Sequence, residues 1–477
     1  MKVSKYVVPL FVCLYLSLCI SLPITSAKDN TTHALESINY IQTSLGTSYA
    51  IDKEGTIWTW GSGINAGTGD NFTHISPLPL ITPTASFKTI APGAGIYTSA
   101  VTQEGLVYSW GVDDPSRRKT SSPVQVQGLK DIVASATGSE HFLALDKDGQ
   151  VWGWGSNSAG QLDNTKVTTT PTYTTPTPLP GLNGVKTVST YDNYSVALKK
   201  DGTLWGWGSI NESSTSSPTL LTGRQHIVSV TMNYREVIAV NTEGQVLDWD
   251  LSSGIHAPKI YTLKLPVTST DNGAAGGIYA ITTNGSVWKI DPQSNPLAIT
   301  QVNELNQIVQ ISSGNGLTLA LDQNGRVHSW GVNTGGILGI GNPFDSWVIS
   351  PPVIVQKPIT VQLNKTEVRI PNLPFLTQNS VYVPVRGLFE KMNATVAWNK
   401  QNRNDVFITS GTTSIHLTKG KNTAIVNGQS VPLSSPPQYV NESIFIPLRF
   451  ISETIGAHVN WDSENYMVSI DTSDDQH

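Results

Sequence analysis

Residues 141–155 read HFLALDKDGQVWGWG, and the pattern in this stretch predicts the fold. It contains two apolar runs with the alternation of a β-strand, joined by a short polar turn that ends at Gly149. An acidic residue followed by glycine between two such runs is typical of a β-hairpin, because glycine supplies the positive φ that the turn requires. Since strand side chains alternate, Trp152 and Trp154 should share one face of the second strand.

The hairpin pattern recurs seven times. The aligned glycines are Gly55, Gly105, Gly149, Gly202, Gly244, Gly285 and Gly325, at intervals of 50, 44, 53, 42, 41 and 40 residues. Five positions before each glycine stands an alanine, and five positions after it stands a tryptophan, or Ile290 in the sixth repeat. Four-stranded units at a period near 40 to 45 residues indicate a β-propeller. We therefore predict a mainly β chain with a seven-bladed propeller over residues 37–356, its alanines on a crowded inner strand.

The ends of the repeat region suggest how the ring closes. Most repeats are preceded by a strand that begins with proline, such as residues 123–126, but the first repeat, which starts near Ser37, has none. A spare copy, residues 352–355, follows the seventh repeat. We expect this last strand to complete the first blade, because closure removes sheet edges that would promote aggregation.

The repeats resemble the regulator of chromosome condensation family, whose hairpins have the form H-x-L-A-L…G-x-V-x-x-W-G-x-N-x-x-G-Q-L-G. The best match runs from His141–Leu145 through Gly149 and Trp154 to residues 160–162, Gly-Gln-Leu. The resemblance covers residues 37–356 and implies a seven-bladed propeller. The family's namesake acts on a nuclear GTPase and chromatin. An exported acidic protein has access to neither, so we do not transfer that activity.

A second, duplicated module follows residue 357. Residues 381–390 (VYVPVRGLFE) recur with a shift of 63 as residues 444–453 (IFIPLRFISE). Each half predicts a strand, a short helix that proline opens, and a strand pair, with Asn393 or Gly456 ending the helix. The i,i+4 pairs Arg386–Glu390 and Arg449–Glu453 are expected on these helices as structural support. The prediction is a small α+β domain with an internal duplication over residues 357–477.

This second module resembles the copper amine oxidase N-terminal-like domain, also called a stalk domain, which is common in secreted proteins of spore-forming Gram-positive bacteria. In amine oxidases this domain is an appendage, and copper and the tyrosine-derived quinone lie in another domain. The chain has no Asn-Tyr-Asp/Glu sequence that would form the quinone. The resemblance therefore implies neither a metal nor a cofactor.

The first residues indicate export. Lys2 and Lys5 precede an apolar run, residues 6–22, and the small residues 25–27 (Thr-Ser-Ala) offer a cleavage site. We predict a signal peptide over residues 1–27 and a linker over residues 28–36; an uncleaved N-terminal anchor is the alternative. Both cysteines lie in this segment, so the mature chain would contain no disulfide and no cysteine-bound metal. We expect a secreted or cell-surface protein of a Gram-positive bacterium, with no transmembrane span after cleavage.

Charge narrows the range of partners. The 477 residues contain 30 Lys and Arg and 35 Asp and Glu, and charged residues make up 14% of the chain. This excludes a coiled coil, a charged disordered chain and a basic nucleic-acid binder. Removing residues 1–27 leaves 28 basic and 35 acidic residues, a net charge of −7, which disfavours nucleic acid as a partner.

The sequence offers no catalytic, cofactor-binding or metal-binding residues. Its nine histidines form no H-x-H or H-x-x-x-H pair, and there is no G-x-S-x-G, P-loop or cysteine nucleophile. Residues 146–149 (Asp-Lys-Asp-Gly) lack the later glutamate of a calcium loop and fall at the repeated turn. What remains is two predicted loop insertions, residues 61–87 and the Thr- and Pro-rich residues 164–180, which contain Tyr173.

We therefore expect a non-catalytic extracellular or cell-envelope binding protein. The propeller would bind an extracellular protein or a cell-wall glycan, and the C-terminal domain would be a spacer or docking module. One alternative is a secreted glycan lyase or hydrolase whose carboxylates meet in the propeller channel. Another is an enzyme inhibitor, because secreted bacterial propellers of this repeat type include a β-lactamase inhibitor.

Overall fold

The fold is described from a computed structural model. It describes residues 33–472, except residues 45, 63–65, 70–72, 81–84, 112–121, 163–171, 211–212, 223–225, 234–235, 252–256, 274–276, 315, 343, 345, 371, 378–379, 400–403 and 441–442. The predicted signal peptide lies outside these residues.

Seven four-stranded antiparallel sheets form the propeller, which confirms the predicted fold. Blades 1 to 3 comprise β1 (Ile38–Ser44), β2 (Thr47–Asp52), β3 (Ile57–Gly61) and β4 (His74–Pro79); β5 (Phe87–Pro92), β6 (Tyr97–Thr102), β7 (Val107–Gly111) and β8 (Val124–Gln125); β9 (Ile132–Thr137), β10 (His141–Asp146), β11 (Val151–Ser156) and β12 (Thr172–Pro178). Blades 4 and 5 comprise β13 (Val185–Tyr191), β14 (Tyr194–Lys199), β15 (Leu204–Ile210) and β16 (Ser213–Thr222); β17 (Ile227–Asn233), β18 (Glu236–Asn241), β19 (Val246–Asp250) and β20 (Lys259–Tyr261). Blades 6 and 7 comprise β21 (Val267–Gly273), β22 (Gly277–Thr282), β23 (Val287–Asp291) and β24 (Ala298–Gln301); β25 (Ile308–Gly314), β26 (Leu317–Asp322), β27 (Val327–Asn333) and β28 (Ser346–Ile354).

The repeated turn glycines join each blade to the next. All seven have φ between 74° and 86°, and the carbonyl oxygen of each accepts a hydrogen bond from the backbone N–H that begins the following blade. The donor–acceptor pairs are Phe87–Gly55, Ile132–Gly105, Val185–Gly149, Ile227–Gly202, Val267–Gly244, Ile308–Gly285 and Ile38–Gly325, at 2.8 to 3.2 Å. The last pair links blade 1 to blade 7, so the same contact that connects neighbours also closes the ring.

The predicted closure by strand exchange is wrong. The spare proline-led strand belongs to β28, which pairs with β27 inside blade 7, and blade 1 has its own outer strand, β4. Each blade is built from inside to outside in chain order, so a proline-led strand completes the hairpin before it rather than the one after it. At the closing boundary the Gln310 side chain donates to the Ile41 carbonyl oxygen at 2.8 Å and accepts from the Ile41 N–H at 3.1 Å.

The repeat columns mark buried positions. The seven alanines are fully buried, and they lie on the second strand of each blade, which pairs with a strand on either side. The residue five positions after each glycine is also buried: Trp60, Trp110, Trp154, Trp207, Trp249, Ile290 and Trp330. The tryptophan-rich composition therefore reflects packing between blades.

The C-terminal domain contains two short helices among three sheets, as an α+β fold requires. Its strands are β29 (Thr360–Leu363), β30 (Thr366–Glu367), β31 (Phe375–Thr377), β32 (Ser380–Pro384), β33 (Thr395–Trp398), β34 (Asp405–Ser410), β35 (Thr413–Thr418), β36 (Thr423–Val426), β37 (Gln429–Pro432), β38 (Gln438–Val440), β39 (Ser443–Pro447), β40 (His458–Asp462) and β41 (Met467–Asp471), and its helices are α1 (Val385–Lys391) and α2 (Leu448–Ile455). Strands β32 and β39, the equivalent strands of the duplication, pair antiparallel with Val383 opposite Ile446. These two residues are 63 positions apart, so the sequence repeat places a pseudo-twofold axis at this pair.

The predicted helix boundaries hold. Pro384 and Pro447 precede the two helices, and Asn393 and Gly456 follow them with φ of 60° and 73°. The first turn of α1 is irregular, because its second and third residues have non-helical backbone angles. The Arg386 Nε and Glu390 Oε1 atoms are 3.7 Å apart, both side chains are about half exposed, and the pair contributes little stability.

The C-terminal domain packs directly on the propeller. Ile75 of β4 is buried in a cluster with Phe375, Tyr382, Val440 and Phe445 of the C-terminal domain. The segment predicted as a linker is also packed from residue 33 onward: the His33 ring stacks on Tyr466 at 4.4 Å, and Leu35 N–H donates to the Val355 carbonyl oxygen at 2.9 Å. These contacts dock the domain against the outer strand of blade 1 and protect that edge from pairing.

Candidate functional site

The seven turns and the starts of the seven innermost strands form one end of the propeller, here called the hairpin face. Antiparallel pairing brings them together, since the first residue of β1 pairs with the last residue of β2 just before the turn. Because every blade has the same register, residues of one repeat column are spaced around the central axis at this face.

The second residues of the seven innermost strands lie at the hairpin-face end of those strands and form what we call the channel-mouth ring. Its members are Asn39, Lys88, Val133, Lys186, Val228, Thr268 and Val309. The three valines are exposed by 40%, 39% and 59%, although valine is more often buried. The ring has no carboxylate, and it contains two lysines, in a chain that is acidic overall.

Both lysines of the ring are held in place. The Lys88 Nζ atom donates to the Ile132 carbonyl oxygen at 3.0 Å, and the Lys186 Nζ atom donates to the Val228 carbonyl oxygen at 3.2 Å. Partial burial lowers the pKa of Lys88 from its ordinary value. Each ammonium group is therefore fixed against the next blade, beside an exposed valine, which reduces the conformational entropy that binding would cost.

A second ring of side chains lies further from the axis on the same face, three positions after each glycine. Its indole N–H groups donate to acceptors in the adjacent turn, as from Trp58 to Asp52 at 2.9 Å and from Trp152 to Asp146 at 3.1 Å. The tryptophan side chains of this second ring are half-buried. Their N–H groups fix the turns, and the exposed faces of their indoles are available to a partner.

The innermost strands of all seven blades line a central channel of about 260 Å³. Its described lining is rich in Ser and Thr and contains one carboxylate, Asp271. The two Asp271 oxygens accept backbone N–H bonds from Asn272 at 2.7 Å and Ser313 at 3.1 Å. Burial raises the pKa of Asp271 to about 7, and burial together with that carboxylate raises the pKa of Tyr40 to about 12. A glycosidase mechanism needs two carboxyl groups across the scissile bond, and the described channel lining supplies one.

The buried Asp271 predicts an unusual pH dependence of stability. The folded state keeps its proton up to about pH 7, whereas an unfolded aspartate loses it near pH 3.9. The contribution of Asp271 to stability is therefore fully present at low pH, and it falls by up to about 1.4 kcal/mol per pH unit as the pH rises through this window. Between about pH 4 and 8, the free energy of unfolding measured in urea should fall less, or rise more, with increasing pH in Asp271→Asn than in the wild type. In the exposed-turn control Asp148→Asn it should change with pH as in the wild type. A wild-type pH dependence in Asp271→Asn would contradict the assignment.

Two further polar clusters lie between blades. His141 Nε2 is 2.9 Å from Ser195 Oγ, but both side chains are fully buried and burial lowers the pKa of His141 to about 3. In blade 5, burial raises the pKa values of Glu236 and Asp248, and Asp248 Oδ2 accepts a bond from the Tyr261 hydroxyl of the same blade at 3.1 Å. The Glu236 carboxylate accepts a bond from the Asn272 side-chain amide of blade 6. His141, Ser195 and Asp248 are out of reach of a substrate, so these clusters connect neighbouring blades.

The two predicted insertions contain outer strands. Strand β4 lies within residues 61–87, and β12 takes most of the described part of residues 164–180, where Tyr173 pairs with Gly155 in register. The Thr- and Pro-rich composition of residues 164–180 predicted a loop. It is equally compatible with an outermost strand, because such a strand tolerates proline on its unpaired side. Residues 163–171 lie outside the described residues.

Among the described residues, no group of three or more His, Cys, Asp or Glu side chains is arranged to hold a metal ion. No helix in this part of the chain has the length and apolarity needed to cross a membrane.

Comparison with known families agrees with this geometry. Family models of the regulator of chromosome condensation (RCC1) repeat match residues 132–161, 148–198, 185–214 and 308–337. The family model of the copper amine oxidase N-terminal domain matches residues 362–470. The chain contains RCC1 repeats and a copper amine oxidase N-terminal domain. The RCC1 propeller and the C-terminal domain are thus both recognised from sequence.

Relatives of the RCC1 propeller have different activities. The chain is 26% identical to the ultraviolet-B receptor UVR8 of Arabidopsis thaliana, over 67% of this chain and 82% of UVR8. It is 23% identical to the guanine nucleotide exchange factor SRM1 of Saccharomyces cerevisiae, over 62% of this chain and 70% of SRM1. The crystal structure of human WBSCR16 superposes with a TM-score of 0.51 at 20% identity, covering 60% of this chain and 85% of that one, which shows the fold alone.

Proposed function

We propose that the protein is a non-catalytic, extracellular or cell-envelope binding protein whose RCC1 propeller binds a protein partner through the hairpin face. RCC1-like propellers act in protein interaction, and SRM1 is an exchange factor. The channel-mouth ring carries the proposal, because it presents three exposed valines and two tethered lysines on a rigid closed scaffold. Exposed apolar side chains next to fixed charges are typical of interaction surfaces.

The chemistry of the ring defines the partner. Two lysines without a carboxylate favour an acidic partner surface, and the exposed valines favour an apolar side chain at its centre. A glycan would find hydroxyl partners in the ring only at Thr268 and an amide at Asn39, so the ring fits a protein better than a sugar chain. The buried contacts of the C-terminal domain are with the outer strand of blade 1, not with an innermost strand.

Capture experiments test this proposal. The mature chain, residues 28–477, serves as bait for extracellular and cell-surface proteins and for purified wall glycan, and amino-terminal sequencing of the exported protein checks cleavage after residue 27. The triple variant Val133→Asp, Val228→Asp, Val309→Asp should bind the captured protein at least tenfold more weakly, because it replaces the apolar contact with repelling charge. The matched control is Val124→Asp, Ile260→Asp, Leu297→Asp, whose side chains are exposed by 62%, 53% and 49% at the outer edges of their blades.

The control triple variant should bind as the wild type does. Equal loss in both triple variants, capture of wall glycan in place of protein, or no enriched partner would contradict the proposal.

A further inference from the structure

A second cavity, of about 320 Å³, lies between the propeller and the C-terminal domain. Ligand sites in proteins often lie at domain interfaces and have volumes near this value. One wall comes from blade 1, with Trp58, Leu78 and Leu80, and the other comes from the C-terminal domain, with Ile359 and Ile370. The two walls are thus apolar and belong to different domains.

The polar groups of this interdomain cavity are unevenly placed. The Trp58 indole N–H already donates to Asp52, so inside the cavity the indole offers ring surface. The exposed members of the described lining include Ser122, Glu367 and Arg369, and they mark its open side. An occupant would therefore place carbon against the walls and its polar end at this opening.

The volume limits the size of the occupant. A water molecule takes up about 30 Å³ in the liquid, so the cavity holds roughly ten groups of that size. This fits an unbranched chain or a single ring with a short chain, and it is too small for a folded peptide segment. Arg369 provides a permanently charged guanidinium at the opening, which a planar carboxylate can approach with two hydrogen bonds.

We propose that this interdomain cavity binds a small amphiphile: an apolar body of roughly ten non-hydrogen atoms with a carboxylate beside Arg369. This is independent of the partner-binding role of the channel-mouth ring, which lies around the propeller axis. Because the ligand would contact both domains, its binding stabilises the docked arrangement.

Decanoate is the probe, titrated calorimetrically into the full mature chain, with acetate as the head group alone. We expect one decanoate per chain, a raised thermal transition and no measurable acetate binding. Leu78→Trp and Ile370→Trp each fill the cavity from one wall and should weaken decanoate binding at least tenfold. Two variants on opposite walls keep the test valid if one of them fails to fold, which the thermal transition of the free protein reveals.

Arg369→Glu should weaken decanoate binding several-fold, because it puts a like charge beside the carboxylate. The matched control is Arg386→Glu, an exposed arginine on α1 that does not line the cavity and should leave binding unchanged. No saturable binding of decanoate, equal binding by the wild type and both tryptophan variants, or equal effects of the two arginine variants would overturn the proposal.

Discussion

Gly244→Ala is expected to destabilise the propeller by about 3 kcal/mol, because it introduces two separate costs at one blade junction. Gly244 has φ of 74°, a conformation that costs alanine about 1 to 2 kcal/mol. A Cβ atom there would also lie 2.5 Å from Pro266 Cβ and 2.6 Å from Pro266 Cα. The Val267 N–H donates a hydrogen bond to the Gly244 carbonyl oxygen at 3.0 Å. Any movement of Pro266 away from the new Cβ would shift the adjacent backbone and disturb this bond.

Gly181→Ala is the matched control for this prediction. Gly181 has a similar φ of 76° in the same propeller, but a Cβ atom there would have nothing within 4 Å. It should therefore cost only the conformational part, about 1 kcal/mol. Urea unfolding followed by tryptophan fluorescence measures both variants. Equal losses in the two would mean that the contact between blades 5 and 6 does not contribute, and that only the backbone angle matters.

Ile75→Asp is expected to release the C-terminal domain from the propeller. Ile75 is 6% exposed and packs against Phe375, Tyr382, Val440 and Phe445, so aspartate would be buried without a partner among aromatic rings. The loss of apolar burial and the cost of an unpaired charge sum to about 4 kcal/mol or more, which is large for an interface of this kind. We expect a larger radius of gyration in small-angle scattering and faster proteolysis near residues 356–358.

The release should leave each domain folded. The main core of the C-terminal domain is a separate cluster that includes Val383, Leu388 and Ile446, and Ile75 is not part of it. Val348→Asp is the control, because Val348 is 76% exposed on the outer strand of blade 7 and should change neither measurement. An unchanged radius of gyration in Ile75→Asp would mean that other contacts, such as the His33–Tyr466 stack, hold the domains together.

The docked arrangement changes the role of the C-terminal domain. The sequence allowed either a spacer or a docking module, and the buried contacts of Ile75 and the short path from Val355 to Ile359 favour docking. A domain that shares a buried cluster with the propeller moves with it. It therefore orients the hairpin face relative to whatever the C-terminal domain contacts, instead of letting that face rotate freely.

Local patterns in the sequence were enough to predict the blade. The spacing of Gly149 from Ala144 and Trp154 determines the turn, the strand alternation and which side chains are buried, because all of these depend on residues within one hairpin. The duplication likewise identified Val383 and Ile446 as equivalent positions, and the structure pairs them. Within a hairpin the interacting residues are only a few positions apart, so the sequence pattern shows their interactions directly.

The way in which those units pair with one another became clear only in the folded protein. A proline-led strand can pair with the hairpin before it or after it, and the sequence contains the same strand in either case, so the assignment of residues 352–355 depended on the completed sheet. The exposure of Val133, Val228 and Val309 was likewise not predictable from the sequence, because valine in a strand is more often buried. They are exposed because each is the residue skipped by the register shift that follows the first residue of its innermost strand, and this pairing forms only in the assembled sheet.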